Sequence, residues 1–377
     1  MTKNTEKRIA LTGAYAGAEA LKQINPDVMA VYPITPQTPI IETYSKFKAD
    51  GVVDTEVIHV ESEHSAMSAC IGSSAAGART VTATSSQGLA LMNEAVYIAA
   101  GLRLPILMLV SARALAAPLN IHGDHSDVMG CRDSSWIQIF CANPQEVYDK
   151  TICGMKLAEK IKFPVQVIMD GFNTSHCVEN MEMIEDEAVK KFVGEYNPEQ
   201  YLLDVDNPIT VGPVALQNSY FEFRKDMADQ FPEAEKELQE IYDEYAKISG
   251  RKYSIAEKYQ LEDAETVLVS LNSSVCGTAM DAIDKLRSDG KKVGLLEISL
   301  FRPFPYEEVK NALDKAKEII VLDRNLAFGT VQVLAGEIEQ AIGKKVKSVV
   351  YGLGGRDTFQ KQIIELVEGK NENNFLM

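Results

Sequence analysis

The chain has 377 residues, 46% of them hydrophobic and 24% charged, which is enough for two well-cored domains and too apolar for a disordered segment. Its formal net charge of −16 argues against nucleic acid or an anionic membrane as the main partner, since both require a basic footprint. No signal-peptide pattern precedes Ile9-Ala10-Leu11 and no apolar run reaches the ~20 residues of a membrane span, so the expected location is cytoplasmic.

Residues 8–176 alternate short apolar strands with helical patterns, as in a parallel α/β sheet. Arg8 to Thr12 reads as a strand, with Gly13 opening a helix through Gln23. Val28 to Tyr32 is a second strand, and Thr38 as N-cap with Pro39 at the first helical position predicts a helix after it. The loop Pro33 to Gln37 therefore lies at the carboxyl end of a strand, where open α/β sheets bind ligands. Glu56 to Val60 leads into a helix from Glu61-Ser62-Glu63 that closes by Gly77. Thr80–Thr84 and Pro105–Val110 read as buried strands with one helix, Gly88 to Ala100, between them, so Ser85-Ser86-Gln87-Gly88 and Arg113 also follow strand ends. Asn143-Pro144-Gln145-Glu146 combines a cap, a helical proline and a glutamate at the third position; a helix to about Lys160 and a strand Pro164 to Met169 follow. From Val178 to Gln260 the pattern turns acidic and mixed, with one long amphipathic helix expected from Tyr220 to Ile248, and reads as a connection. A second βα alternation occupies Glu265–Ser270, Lys292–Glu297, Glu318–Leu322 and Val346–Tyr351.

Five strings stand out: Tyr32-Pro33-Ile34-Thr35-Pro36, Val60-Glu61-Ser62-Glu63-His64, Ser111-Ala112-Arg113, Gly123-Asp124-His125-Ser126-Asp127, and Asp170 to His176. In the second, the small residues Ser65, Ala66, Ser68 and Ala69 would let another surface approach the helix backbone closely, although acidic residues in a first turn are also what the helix dipole favours. In this order, and over nearly the whole chain, the strings resemble the alpha chain of the thiamine-diphosphate-dependent 2-oxoacid:ferredoxin oxidoreductases, pyruvate synthase above all.

The resemblance implies an N-terminal pyrimidine-binding α/β domain with a parallel sheet and its helical connection (residues 1–255), then an α/β domain similar to the transketolase C-terminal fold (256–377). It implies oxidative decarboxylation of pyruvate with coenzyme A to acetyl-coenzyme A and CO₂, reversibly, with ferredoxin reduced. Thiamine diphosphate needs a carboxyl group against its aminopyrimidine ring nitrogen, and a partly desolvated Glu suits that task because burial raises its pKa. Glu63 matches the family's pyrimidine-contacting glutamate; Glu61 matches a position where Gln is acceptable. Arg113 matches the arginine that binds the substrate carboxylate, a planar group that a guanidinium grips in a fork. Thr35 matches the threonine that hydrogen-bonds substrate, and Pro33 sits beside the cofactor, the prolines 33 and 36 restricting the backbone around the hydroxyl. Asp124 and His125 are read as loop architecture or, alternatively, an acid/base pair, and the Asp170–His176 loop as architecture or subunit contact.

What is missing shapes the expectation too. The family's Mg²⁺ and diphosphate motif, Gly-Asp-Gly followed by Asn, does not occur at Gly123-Asp124-His125. Six cysteines and five histidines show no metal-ligand spacing and read as mostly buried thiols, so no metal is assigned here. Gly352-Leu353-Gly354-Gly355 lacks the Lys-Ser/Thr of a phosphate loop and reads as a turn. The expected partners are a beta subunit carrying diphosphate and Mg²⁺, a gamma subunit, a ferredoxin-like delta subunit with [4Fe-4S] clusters, and external ferredoxin. Rival readings are a branched-chain (2-oxoisovalerate) enzyme subunit and a non-catalytic assembly subunit on the same fold.

Overall fold

In the computed structural model the described residues are 7–371 and 373–377; the segment Met1–Glu6, where no signal-peptide pattern was read, lies outside them. Seven strands form the larger sheet in the spatial order Leu300–Arg302, Ile137–Cys141, Val165–Asp170, Ile106–Ala112, Thr80–Thr84, Val28–Val31, Glu56–His59, all parallel except the first. Four inner strands, Ile137–Cys141, Val165–Asp170, Ile106–Ala112 and Thr80–Thr84, are buried along their whole length, as expected for a parallel sheet covered on both faces. The helices Gly13–Ile24 and Pro144–Ile161 pack together on one face, with Glu233–Ser249 against the latter. Asn143 caps the Pro144 helix as read, its side chain accepting the Glu146 N–H.

A smaller sheet runs Lys347–Val350, Glu318–Asp323, Thr266–Leu271, Val293–Ile298, Ala256–Tyr259, parallel apart from the Ala256–Tyr259 edge. All four strands expected after residue 264 are there. Among the described residues no helix is long and apolar enough to cross a membrane.

Several local expectations are corrected. Lys7–Thr12 does not join the parallel sheet: it pairs antiparallel with Val178–Met183 in a sheet of its own, a strand that reads as connection in the sequence because Glu179, Asn180 and Glu182 break up its apolar residues. The stretch 220–248 is two helices, Tyr220–Gln230 and Glu233–Ser249, interrupted where Pro232 supplies no backbone donor. The expected helix 88–100 is likewise two, Ser86–Leu91 and Asn93–Gly101, meeting at Met92. Thr38 is the first helical residue rather than the cap; Gln37 holds the cap position, and its buried amide is spent elsewhere, donating to the carbonyls of Tyr32 (2.9 Å) and Ala83 (3.3 Å). Ile137–Cys141 was not anticipated, and Leu300–Arg302, from the C-terminal half, adds an antiparallel edge strand to the N-terminal sheet.

Candidate functional site

The chain order of the larger sheet reverses at Val28–Val31: the next strand, Glu56–His59, pairs on one side of it and the following one, Thr80–Thr84, on the other. Ligand crevices of α/β sheets open at such a switch point. Here the ladder between Val28–Val31 and Thr80–Thr84 has only the pairs Val28–Thr80 and Met29–Val81, so the strands part toward their carboxyl ends, and Gln37 bridges the gap. Thr35, Glu63, Ser85-Ser86 and Arg113 all follow strands at this edge.

Glu63 opens the helix Glu63–Ala75, with Ser62 as N-cap accepting the Ser65 N–H at 3.2 Å, a cap worth about 1 kcal/mol. Although at a helix start, Glu63 is only 6% exposed. No other described residue hydrogen-bonds its carboxylate, which lies against the helix Ser86–Leu91: a Cβ at Gly88 would stand 2.7 Å from Glu63 Oε1 and 2.6 Å from Thr84 Oγ1. That close approach requires glycine. Thr84 Oγ1 is itself buried and has no hydrogen-bond partner among the described residues. Glu61 differs in every respect: it is exposed and accepts the Ser65 hydroxyl, the contact that chiefly holds its pKa below the usual value.

Arg113 is 7% exposed, and burial lowers its pKa, with Asp127 opposing. Its Nη1 donates to the Thr35 carbonyl at 2.9 Å and its Nε to the Asn120 carbonyl at 3.0 Å. Structure thus joins two of the residues singled out from sequence, through the Thr35 backbone rather than its hydroxyl. Among the described residues no carboxylate forms an ion pair with the Arg113 guanidinium. Thr35 and Pro33 are exposed on the same loop.

Asp124 and His125 do not form a pair. Asp124 Oδ1 accepts the backbone N–H (2.9 Å) and hydroxyl (2.6 Å) of Ser126, while His125 Nε2 meets Asp170 Oδ1 at 2.7 Å. Asp170, 2% exposed, also accepts the Ser274 N–H (2.9 Å) and hydroxyl (2.6 Å) and is ion-paired to Arg324 Nη1. Burial alone would raise its pKa; Arg324 first, then His125 and Ser274, outweigh this and hold it well below the usual carboxylate range. Ser274 and Arg324 follow strands of the smaller sheet, so the carboxyl edges of both sheets converge on one buried carboxylate. Arg324 continues to Asn173 Oδ1 (2.8 Å) and the Gly352 carbonyl (3.2 Å). The turn at Gly352–Gly355 docks here as well: the Gly355 N–H donates to the Gly123 carbonyl (2.8 Å) and Asn120 Nδ2 to the Gly354 carbonyl (3.1 Å).

Sequence reading assigned no role to Arg324, although Asp323-Arg324-Asn325 directly after the apolar run Glu318–Leu322 was a signal: three polar residues at a strand's carboxyl end, all buried. It also passed over Asp127, 4% exposed, whose pKa burial pushes up to about 7 against the opposing backbone N–H groups of Arg113, Ser86 and Val128.

The residues present fit a flat heteroaromatic group with a ring nitrogen to offer. The cradle is small (Gly88), one wall carries a buried carboxylate (Glu63), and a buried hydroxyl (Thr84) has no partner among the described residues.

Residues 19–243 match the family described as pyruvate flavodoxin/ferredoxin oxidoreductase, thiamine diphosphate-binding, and residues 264–363 match pyruvate:ferredoxin oxidoreductase core domain II. The pyruvate synthase subunit PorA of Thermotoga maritima is 49% identical over 98% of this chain and 96% of its own length, and that of Methanocaldococcus jannaschii 49% over 92% and 90%. The ketoisovalerate oxidoreductase subunit VorA of Pyrococcus horikoshii is 42% identical over 98% and 94%. Among solved structures, the 2-oxoglutarate:ferredoxin oxidoreductase of Magnetococcus marinus aligns with a TM-score of 0.72 at 19% identity, over 96% of this chain and 65% of that one, a likeness of fold. Matched by a thiamine-diphosphate-binding family description over more than half of its residues and by relatives 42–49% identical along nearly all of its length, the chain belongs to the pyruvate flavodoxin/ferredoxin oxidoreductase family.

Proposed function

We propose that the chain is the pyrimidine-binding subunit of a cytoplasmic, multi-subunit pyruvate:ferredoxin oxidoreductase that converts pyruvate and coenzyme A to acetyl-coenzyme A and CO₂. The observation that carries the reading is the buried Glu63 carboxylate, cradled by Gly88 and, among the described residues, without a hydrogen-bond partner, on the same sheet edge as an Arg113 that no carboxylate of those residues pairs with. When bound, thiamine diphosphate supplies a carbon nucleophile and an electron sink for decarboxylation. Glu63 would hold the cofactor's pyrimidine end and would hold or exchange a proton at its carboxyl oxygen. Pro33, exposed on the loop after Val28–Val31, is a cofactor-binding residue in this reading. Arg113 binds the carboxylate of the 2-oxoacid, and the Thr35 hydroxyl, on the loop tied to Arg113 at 2.9 Å, orients its ketone.

Diphosphate, Mg²⁺ and [4Fe-4S] clusters belong in this proposal to a beta subunit and a ferredoxin-like delta subunit, assembled with a gamma subunit and passing electrons to external ferredoxin. The chain divides at residues 255 and 256, a division supported by the start of the smaller sheet at Ala256 and by the two family matches ending and beginning on either side. Pyruvate is preferred to 2-oxoisovalerate on the relatives' names, since Thr35 and Arg113 address the head common to both. Purification of the native complex and assay of a panel of 2-oxoacids with coenzyme A and a viologen acceptor tests the reading. The highest kcat/KM is expected with pyruvate; a preference for 2-oxoisovalerate would transfer the assignment to the branched-chain enzyme.

A further inference from the structure

We propose that Asp127 is a positioning residue for the reaction: it fastens the strand end bearing Arg113 to the Ser85-Ser86 turn and thereby sets where the guanidinium meets the substrate carboxylate. The inference rests on Arg113 binding that carboxylate.

The parallel ladder between Thr80–Thr84 and Ile106–Ala112 ends at the pair Thr84–Val110. Beyond it, among the described residues, the two segments are tied to each other only through side chains. Ser85 Oγ donates to the Ser111 carbonyl (2.7 Å), and Ser86 Oγ to the Ala114 carbonyl (2.6 Å). Between these two ties sits Asp127, reaching in from the short helix Ser126–Gly130: its Oδ2 accepts the N–H of Ser86 at 2.7 Å and the N–H of Arg113 at 3.0 Å, and its Oδ1 accepts the N–H of Val128 at 2.8 Å. One buried oxygen thus takes the place that a third strand's carbonyl would have, joining two chains whose own bonding has run out.

Both consequences fall on the site. Ser86 is held at φ +50, a conformation that a residue with a side chain keeps when its surroundings fix it, so its end of the tie is a fixed point against which Arg113 is set. Arg113, with its backbone held by Asp127, extends its guanidinium to the Thr35 and Asn120 carbonyls. A carboxylate is needed because all three protein groups facing it are donors. An amide offers one acceptor and one donor, so Asp127→Asn sets its NH₂ against at least one backbone N–H.

The test is a double-mutant cycle in the assembled complex, combining Asp127→Asn with Arg113→Met. Asp127→Asn should leave assembly and thiamine content unchanged and raise the KM for pyruvate roughly 10- to 100-fold, the scale of a misplaced binding group. In the Arg113→Met background the same change should cost no more than about twofold, because the residue it acts through is gone. A full, multiplicative loss in that background, or an unchanged KM in the single variant, overturns the proposal. If Arg113→Met itself leaves KM unaltered, the substrate role of Arg113 falls and the proposal falls with it. Should the asparagine variant fail to assemble, Asp127→Glu, which keeps the charge and displaces it by one methylene, replaces it in the same cycle with the same expected outcomes.

Discussion

Asp170→Asn should destabilise this protein more than any surface charge change, and the reason lies in where its partners come from. The carboxylate accepts from His125 of the larger sheet's loops and from Ser274 and Arg324 at strand ends of the smaller sheet, and both Asp170 and Arg324 are 2–3% exposed. Asparagine preserves the shape but takes from the buried guanidinium the carboxylate it is ion-paired to, a defect that costs about 3–5 kcal/mol. Against a total stability of about 5–15 kcal/mol that is a large share. Urea unfolding of the isolated chain can be followed in two ways: by fluorescence of its single tryptophan, Trp136, buried in the larger sheet's region with its ring N–H on the Val96 carbonyl (2.8 Å), and by far-ultraviolet circular dichroism, which sees both sheets. The variant's midpoint should fall, with the two signals separating as the smaller sheet loosens first. Replacing both charges, Asp170→Asn with Arg324→Met, should recover part of the loss, since removing a whole buried pair is far milder than breaking one. The pH dependence has a definite sign. Asp170 is held below the usual carboxylate range in the folded state, so its stabilisation is present above the unfolded pKa of about 3.9 and is lost only as pH falls through the depressed folded value. The gap between native chain and variant should therefore be flat from neutral to mildly acidic pH. A loss under about 1 kcal/mol, the scale of an exposed ion pair, would refute the reasoning.

Three further outcomes follow from the site. Glu63→Ala and Glu63→Gln should each remove nearly all turnover in the assembled complex without unfolding it, whereas Glu61→Gln, at an exposed position, should be mild; severe loss at Glu61 with retention at Glu63 would reverse the assignment. Gly88→Ala adds a Cβ 2.7 Å from Glu63 Oε1 and 2.6 Å from Thr84 Oγ1, so the carboxylate must move; thiamine content and turnover should fall together, and a variant of normal content and rate would show that the contact is idle. Calorimetry of this chain alone with thiamine diphosphate and Mg²⁺ should show little or no binding, while the co-purified complex should contain the cofactor, show iron–sulfur absorption and reduce viologen with pyruvate. Tight binding by the lone chain would end the divided-site proposal.

Local pattern determined much of this protein. Apolar runs of strand length placed the inner strands of both sheets, apart from Ile137–Cys141, and the cap signals placed the Asn143-capped helix, because parallel strands buried on both faces leave a continuous apolar signature. The same reading put Thr35, Glu63 and Arg113 after strand ends, and the family motifs set the expectation of thiamine chemistry. It failed where the deciding partner is distant in sequence. Lys7–Thr12 looks like any strand of the parallel sheet, yet its mate is Val178–Met183, and Leu300–Arg302 crosses into a sheet built more than a hundred residues earlier. Only the fold shows that Glu63 is buried and Glu61 exposed, since two glutamates two residues apart at a helix start differ by which side the next strand's helix covers. Likewise, nothing in the sequence joins His125, in a loop of the larger sheet, to Asp170 and Arg324, at strand ends of the two different sheets, until the sheets bring their carboxyl edges together. Their meaning is a distance, and tertiary packing alone sets it.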